Sequence, residues 1–193
     1  MHIKEGDGLK IGLVQLNTMV GDLAGNYRLI LQYVEKAKEA GCRLVVFPEM
    51  AITGYPAGDL LTRAGFIEGA GDILSQLAED IKGIAAIVGG IESPHHGHGR
   101  RRALYNTAFF LNGQGGVRAW HKQHLADHDL LDESRYFTAG TSGDCVEVDG
   151  VCIGISIGED LSVETAKSQV ETGADLLINI GSYPYFFGQE SVI

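Results

Sequence analysis

The chain alternates helix-patterned segments with short apolar runs, and this alternation constrains its fold more than any other feature. The run Leu44–Phe47 follows a helix-patterned segment that stops at Gly41, and Pro48 ends it. Continuous apolar runs of this length are typical of strands buried on both faces. The same order recurs later in the chain, where a helix-patterned segment stops at Gly173 and the strand-like run Leu176–Ile180 follows. The pattern predicts an α/β fold with helices outside a mixed sheet or a pair of sheets.

Apolar periodicity and turn residues predict the elements along the chain. The predicted helices are Asn26–Ala40, Ile67–Ile81 and Val163–Thr172. The predicted strands are Leu9–Leu16, Leu44–Phe47, Ile84–Ile91, Leu104–Leu111, Val117–Trp120, a pair within Val146–Ile157, and Leu176–Ile180. Turns at Asn112-Gly113 and Asp149-Gly150 predict hairpins, Ser93–Arg102 is predicted as a polar loop, and Leu125–Gly140 as irregular. No linker divides the chain, so residues 1–193 are predicted to form a single domain.

Charge and cysteine content exclude several classes of protein. The 25 acidic and 15 basic residues give a formal charge of −10, which argues against electrostatic binding of nucleic acid. No apolar run is long enough to span a bilayer, and the polar N-terminus lacks the apolar core of a secretory signal. The three cysteines show no CxxC spacing, which predicts reduced thiols with neither a disulfide framework nor a zinc ribbon. These features predict a soluble cytoplasmic protein.

Two charged residues stand at the ends of predicted strands. Glu49 directly follows Leu44–Phe47, at the carboxyl end of a strand, where α/β sheets place their sites. Burial there would raise the pKa of Glu49 and suit it to general-base work; alternatively, it caps the segment after Pro48. Lys122 is either an exposed surface charge or a fixed cation that stabilises an oxyanion. The residues by themselves leave both alternatives open.

A third pattern, Gly154-Ile155-Ser156-Ile157-Gly158, fits the G-x-S-x-G motif of serine hydrolases. That mechanism needs an acid and then a histidine after the serine, but every histidine lies at or before His128. Ser156 also falls within the apolar alternation of a predicted strand rather than on a turn. The sequence therefore argues against a serine hydrolase.

The histidines do not predict a metal site. Neither of their two groups has a known ligand spacing, although two members of the second group would share a face of a helix. The groups are His95, His96 and His98, and His121, His124 and His128. We expect no bound metal.

Several motifs, in the same order along nearly the whole chain, resemble the nitrilase (carbon–nitrogen hydrolase) superfamily. Within it, the chain is most similar to the glutaminase domain of bacterial glutamine-dependent NAD synthetases. The motifs are FPEMAITGYP from Phe47 and DLL from Asp59, LYNTA from Leu104, KQHL from Lys122, DESRYF from Asp132, GEDL from Gly158, and SYPY from Ser182.

The resemblance implies an α/β fold of the nitrilase type, an αββα sandwich of two mixed sheets with outer helices. It also implies a Glu–Lys–Cys triad, in which a thiolate attacks an amide and forms a thioester that water hydrolyses. Glu49 and Lys122 match the triad acid and lysine, and Glu133 matches a supporting acid. The positions expected to hold glutamine or a related small amide are Tyr55, His128, Glu159 and Ser182. No cofactor is implied, and the expected partners are a synthetase domain or subunit and further copies of the chain.

The chain departs from the family at the nucleophile, because Gly158 stands where the family has cysteine. Cys152 lies about 20 Å away along an extended strand, Cys145 is further back, and Ser156 is two residues too early. None of them substitutes for a correctly placed thiol. The expected function is therefore glutamine amide hydrolysis that is impaired at the covalent step. The alternative is a non-catalytic scaffold or ligand-binding pseudoenzyme.

A second departure lies after Ser182-Tyr183-Pro184, where family members continue with further helix and strand segments. We expect residues 1–193 to be an incomplete, C-terminally truncated carbon–nitrogen hydrolase domain with no synthetase domain.

Overall fold

The computed structural model of the protein describes residues 8–94, 103–128, 131–141 and 143–183. Within these ranges the α-helices are α1 (Leu23–Glu39), α2 (Ala64–Asp80) and α3 (Val163–Glu171). The strands are β1 (Ile11–Leu13), β2 (Leu44–Val46), β3 (Ala85–Glu92), β4 (Tyr105–Leu111), β5 (Val117–His121), β6 (Val146–Val148), β7 (Val151–Ile157) and β8 (Leu176–Ile180). Short 3-10 turns cover Gly58–Thr62, Glu133–Arg135 and Gly158–Asp160.

The strands form two mixed sheets. The first has the order β1-β2-β3-β4-β5, with parallel pairing from β1 to β3 and antiparallel pairing from β3 to β5. The second has the order β6-β7-β8, in which β6 is antiparallel and β8 parallel to β7. This arrangement confirms the prediction of two mixed sheets with helices.

Two apolar clusters show how the layers stack. Side chains of α1 and α2, such as Ile30 and Leu77, pack with Val45 of β2 on one face of the first sheet. Leu44 of the same strand points to the other face, where it packs in a cluster with Ile155 of the second sheet. The predicted burial of β2 on both faces is therefore confirmed.

The third helix lies on the outer face of the second sheet. Ile155 points into the cluster between the sheets, whereas a Cβ on the preceding Gly154 would meet the buried side chain of Gln169 in α3. Gln169 also donates to the carbonyl of Ile155 at 2.9 Å. The layers therefore run helices, sheet, sheet and helix.

Element types agree with the predictions, and some boundaries differ. Helix α1 begins at Leu23 rather than Asn26 because the side chain of Asp22 caps it by accepting from the N–H of Gly25. Strand β1 is limited to Ile11–Leu13, much less than the predicted Leu9–Leu16, because its register with β2 covers only three residues. The predicted loop Ser93–Arg102 lies outside the described residues apart from its first two positions.

The prediction of reduced thiols is wrong for two of the three cysteines. Cys145 and Cys152 form a disulfide, with their Cα atoms 5.8 Å apart. The turn at Asp149-Gly150 folds β6 back on β7 and brings the two sulfur atoms together. Cys42 is the free cysteine and is buried. No helix among the described residues is long and apolar enough to cross a membrane.

Candidate active site

Four predicted site residues follow four different strands and meet at one end of the sandwich. Glu49 comes after β2 and Lys122 after β5 in the first sheet, while Gly158 comes after β7 and Ser182 after β8 in the second. Ser182 contacts Glu49, and Lys122 lies against both Glu49 and Gly158. The site therefore stands where the ends of both sheets converge.

Glu49 is held on both carboxylate oxygens and is only 3% exposed. Its Oε1 accepts from Lys122 Nζ at 2.9 Å and from Asn106 Nδ2 at 2.7 Å. Its Oε2 accepts from the backbone N–H of Ser182 at 2.9 Å. Burial raises the pKa of Glu49, against the lowering effect of Lys122. A carboxylate with these properties is suited to exchanging protons with a ligand.

Lys122 bridges two carboxylates in the interior. Its Nζ lies 2.9 Å from Glu49 Oε1 and 2.8 Å from Glu133 Oε2, and all three side chains are at least 96% buried. Burial by itself would lower the pKa of Lys122, but the two carboxylates outweigh it and raise the pKa. Lys122 is therefore a buried, charged ammonium, and the alternative of a surface charge is wrong.

Glu133 lies on the 3-10 turn Glu133–Arg135 and supports this arrangement. Its Oε2 accepts from the N–H of Ala126 at 2.8 Å, and its Oε1 accepts from Asn106 Nδ2 at 3.2 Å. Tyr55 donates its hydroxyl to the same Oε1 at 3.4 Å, and burial together with Glu133 raises the pKa of Tyr55. Two buried carboxylates thus face one ammonium.

Asn106 is a site residue that the sequence reasoning did not single out. It is 1% exposed on β4 and donates to both carboxylates, while its Oδ1 has no partner among the described residues. The available signal was an asparagine inside the otherwise largely apolar strand Tyr105–Leu111. A buried polar residue in such a strand usually has a specific partner.

The position of a side chain on Gly158 faces the charged pair of Lys122 and Glu49. A Cβ built on Gly158 would lie 2.8 Å from Lys122 Nζ and 3.5 Å from Glu49 Oε2. The backbone there has a φ of +50°, and Asn179 Nδ2 donates to its carbonyl at 3.2 Å. Any side chain at position 158 would therefore enter the site next to the acid and the lysine.

Gly89 on β3 has the opposite surroundings. A Cβ there would lie 2.3 Å from the carbonyl oxygen of Pro48 and 2.4 Å from the N–H nitrogen of Met50. Backbone cannot yield as a lysine terminus can, so only glycine lets β3 pack against the segment that carries Glu49.

A cavity of about 760 Å³ opens onto Glu49. Its lining includes Tyr55, Asn179, Ser182 and Tyr183. A smaller cavity of about 270 Å³ lies beside it, with Tyr55 in the wall common to both. The larger cavity has room for a small-molecule ligand with its head group at Glu49.

The remaining predicted site residues lie further out. His128 Nε2 is 3.4 Å from Glu159 Oε1, and these side chains are 56% and 38% exposed. Neither residue lines the larger cavity, so the structure pairs them with each other rather than with Glu49.

Histidines and Ser156 have other partners. His121 lies against Glu92, and His124 Nδ1 is 3.2 Å from Asp160 Oδ1; His95, His96 and His98 lie outside the described residues. No group of three or more potential metal ligands occurs in the part of the chain that the structure describes. Ser156 lies within β7, as predicted, and its hydroxyl donates to Asn179 at 2.9 Å.

Comparison with known proteins gives a consistent family. The model of the carbon–nitrogen hydrolase family matches residues 10–190. The chain is 32% identical over 194 residues to a glutamine-dependent NAD(+) synthetase of Synechocystis sp., covering 93% of this chain and 35% of that protein. It is 35% identical over 188 residues to one of Xanthomonas campestris pv. campestris, covering 95% and 33%. The chain thus spans about a third of the length of these relatives.

Solved structures agree. A glutamine-dependent NAD+ synthetase from Acinetobacter baumannii, in complex with ADP, superimposes with a TM-score of 0.87 at 29% identity, over 95% of this chain and 34% of that one. An amidase from Nesterenkonia sp. superimposes with a TM-score of 0.80 at 21% identity, over 97% and 69%. The amidase match shows the fold alone.

Proposed function

Because the chain belongs to the carbon–nitrogen hydrolase family and its relatives include glutamine-dependent NAD synthetases, we propose that it is a glutaminase-type domain. It binds glutamine or a related small carboxamide at Glu49 and Lys122. With glycine at position 158, it does not form the covalent acyl intermediate.

The observation that carries the proposal is the direction of position 158. A side chain there would begin 2.8 Å from the ammonium of Lys122 and 3.5 Å from the carboxylate of Glu49. Once the end of Lys122 shifts to admit that Cβ, a thiol at this position would have a proton acceptor and an oxyanion-stabilising cation beside it. Of the chain's three cysteines, Cys145 and Cys152 form the disulfide, and Cys42 is buried against the helices.

Glycine at position 158 removes one bond-forming step from the family reaction. In the family reaction, a thiolate adds to the amide carbonyl carbon, Lys122 would stabilise the oxyanion, and Glu49 would pass a proton to the leaving nitrogen. Ammonia leaves, and water cleaves the resulting thioester to a carboxylate. Gly158 has no atom that can form the carbon–sulfur bond, so the bound amide is not consumed by this route.

The net negative charge of the site favours binding of a neutral amide over binding of a carboxylate. The two buried carboxylates, Glu49 and Glu133, leave the pocket with a negative excess beside the single ammonium of Lys122. A neutral carboxamide can donate its N–H to Glu49 and accept from Lys122, whereas a ligand carboxylate would meet like charge. Glutamine is therefore expected to bind more tightly than glutamate.

The other predicted residues have supporting roles in the proposal. Tyr55 and Ser182 line the cavity and would shape the amide end, while His128 and Glu159 would contact the polar end of a longer ligand. Residues 1–193 would belong to a single carbon–nitrogen hydrolase domain. Its partners would be a synthetase domain or subunit and a second copy of the chain.

The test compares the unmodified chain with Gly158→Cys and, as the matched control, Gly158→Ala. Glutamine and glutamate binding is measured by calorimetry, glutamate release by a coupled assay, and covalent adducts by intact mass. We expect the unmodified chain to bind glutamine without releasing glutamate. Gly158→Cys is expected to form an acyl adduct and release glutamate, and Gly158→Ala to do neither.

Two results would count against the proposal. Glutamate release by the unmodified chain, abolished in Glu49→Gln, would show that the site is catalytic without a thiol. Failure to bind either amino acid, with the fold intact, would favour the alternative of a scaffold without ligand.

A further inference from the structure

Asp160 is a buried carboxylate without a buried cationic partner among the residues that the structure describes. It is 1% exposed and closes the 3-10 turn that begins at Gly158. The titratable side chain beside it among the described residues is the ring of His124, whose Nδ1 lies 3.2 Å from Oδ1 and which is 61% exposed. A charge in this position needs other hydrogen-bond donors to stabilise it.

Those donors are backbone groups from the other sheet. Asp160 Oδ1 accepts from the N–H of Gln123 at 2.9 Å and from that of His124 at 2.7 Å, and Oδ2 accepts from Gln123 at 3.1 Å. Both N–H groups come directly after Lys122. The side chain of Asp160, two residues after Gly158, therefore binds the backbone immediately after Lys122.

Lys122's own backbone bonds go elsewhere. Its N–H donates to the carbonyl of Asn106 at 2.8 Å, and its carbonyl accepts from Gly140 at 2.8 Å. These bonds fix Lys122 to the first sheet and to the loop that follows it. They do not fix its distance from Gly158, which lies on the turn that follows β7 of the second sheet.

We propose that Asp160 is a positioning residue, which locks the chain after β5 to the turn after β7 and so holds the Lys122 ammonium against position 158. The proposal rests on the proposed function only for the role of that ammonium, which is to stabilise an oxyanion. The contacts themselves do not require that an amide be turned over.

The first test uses the chain without a thiol at position 158. The pKa of Lys122 is followed by NMR of ¹³C-labelled lysine side chains in the unmodified protein, Asp160→Ala and Asp160→Asn. Loss of the clamp frees the backbone directly after Lys122, and this loosens the ion pairs of Lys122 with the two carboxylates that raise its pKa. We therefore expect Asp160→Ala to lower the Lys122 pKa. Asp160→Asn should be intermediate, because Oδ1 alone can still accept from both N–H groups.

The matched control is Ser162→Ala. It removes the cap of α3, two residues further on, where Ser162 accepts from the N–H of Thr165. We expect this variant to melt at a lower temperature with an unchanged Lys122 pKa. An unchanged pKa in Asp160→Ala, or an equal fall in Ser162→Ala, would overturn the proposal.

A second test measures the electrostatic surroundings of position 158 directly. In the Gly158→Cys background, the thiol pKa is obtained from alkylation rates over a range of pH. The groups facing the thiol are Lys122 and Glu49, with Glu133 behind the lysine. Withdrawal of the ammonium in Asp160→Ala should raise the thiol pKa by about one unit.

The two proposals can fail separately. A chain that binds no amide but shows these pKa changes would refute the proposed function and leave Asp160 as the clamp. A chain that binds glutamine, but in which Asp160→Ala changes neither the pKa of Lys122 nor that of the thiol at position 158, would support the proposed function and refute the clamp.

Discussion

Ser182 contacts Glu49 twice, through its N–H to Oε2 at 2.9 Å and through its hydroxyl to the backbone carbonyl at 3.1 Å. These bonds connect the end of β8 in one sheet to the end of β2 in the other. We expect Ser182→Ala, which keeps the N–H and removes the hydroxyl, to lower the free energy of unfolding by about 1 kcal/mol. Urea denaturation measures this, and Ser75→Ala, which removes an exposed hydroxyl on α2, is the control.

Lys122→Met is expected to destabilise the protein in a pH-dependent way. Removing the ammonium leaves Glu49 and Glu133 buried without a cation, at a cost of about 3–5 kcal/mol near neutral pH. The pKa of Glu49 is already raised above 4.5, so its ionisation opposes folding increasingly as the pH rises through that value. Without Lys122 this effect grows, and acidification relieves it.

Denaturation of both proteins at about pH 7 and about pH 5 measures the difference. We expect the gap between Lys122→Met and the unmodified chain to be smaller at the lower pH. A gap that stays constant or widens on acidification would contradict the buried charge cluster. In the unmodified chain, the contribution of Lys122 is present below its ordinary pKa of 10.5 and is lost as the pH rises through its raised value.

Gly158→Ala and Gly158→Cys should each lower stability by about 1–2 kcal/mol, because φ at this position is +50°. They should remain folded, since the Cβ meets side-chain atoms of Lys122 and Glu49 rather than backbone, and the end of a lysine side chain can shift. Gly89→Ala is the contrasting variant, in which the Cβ overlaps backbone, and we expect it to express poorly or unfold. Equal tolerance of substitution at both glycines, measured by thermal denaturation, would contradict this packing.

The disulfide closes a short loop, with a sequence separation of 7 between Cys145 and Cys152. We expect the double variant Cys145→Ala, Cys152→Ala to be about 2–3 kcal/mol less stable than the oxidised protein. The difference should vanish when the unmodified chain is reduced. Thiol titration of the unfolded protein checks the pairing, since one thiol is expected before reduction and three after it.

Prediction from sequence worked best where one local signal dominated. The run Leu44–Phe47 identified a buried strand, and the turn at Asp149-Gly150 identified a hairpin. It failed where a distant or competing contact decided the outcome. The cap formed by Asp22 started α1 early, despite a glycine in the first turn. The disulfide escaped notice because the cysteine spacing matched no known pattern, although the predicted hairpin brings those residues together.

The candidate site shows the same division. Position along the chain and family resemblance placed Glu49 and Lys122 at strand ends, and the structure brings them together. Asn106 was missed because its two carboxylate partners are 57 and 27 residues away, and a polar residue within a strand indicates that it has a partner without indicating which one. The Asp160 contact with the chain after Lys122 spans 36 and 37 residues and was equally invisible.

The two glycines of the site differ in what they allow to change. Gly89 is fixed by the backbone that it touches, so any replacement would displace the segment that presents Glu49. Gly158 instead faces side-chain atoms, the amine of Lys122 and a carboxylate oxygen of Glu49. A thiol introduced at position 158 would therefore stand beside an acid and a lysine that the rest of the fold already holds, once the end of the lysine side chain shifts to admit the new Cβ. Under the proposed function, amide capture and amide cleavage would differ by a single residue, with no rebuilding of the fold.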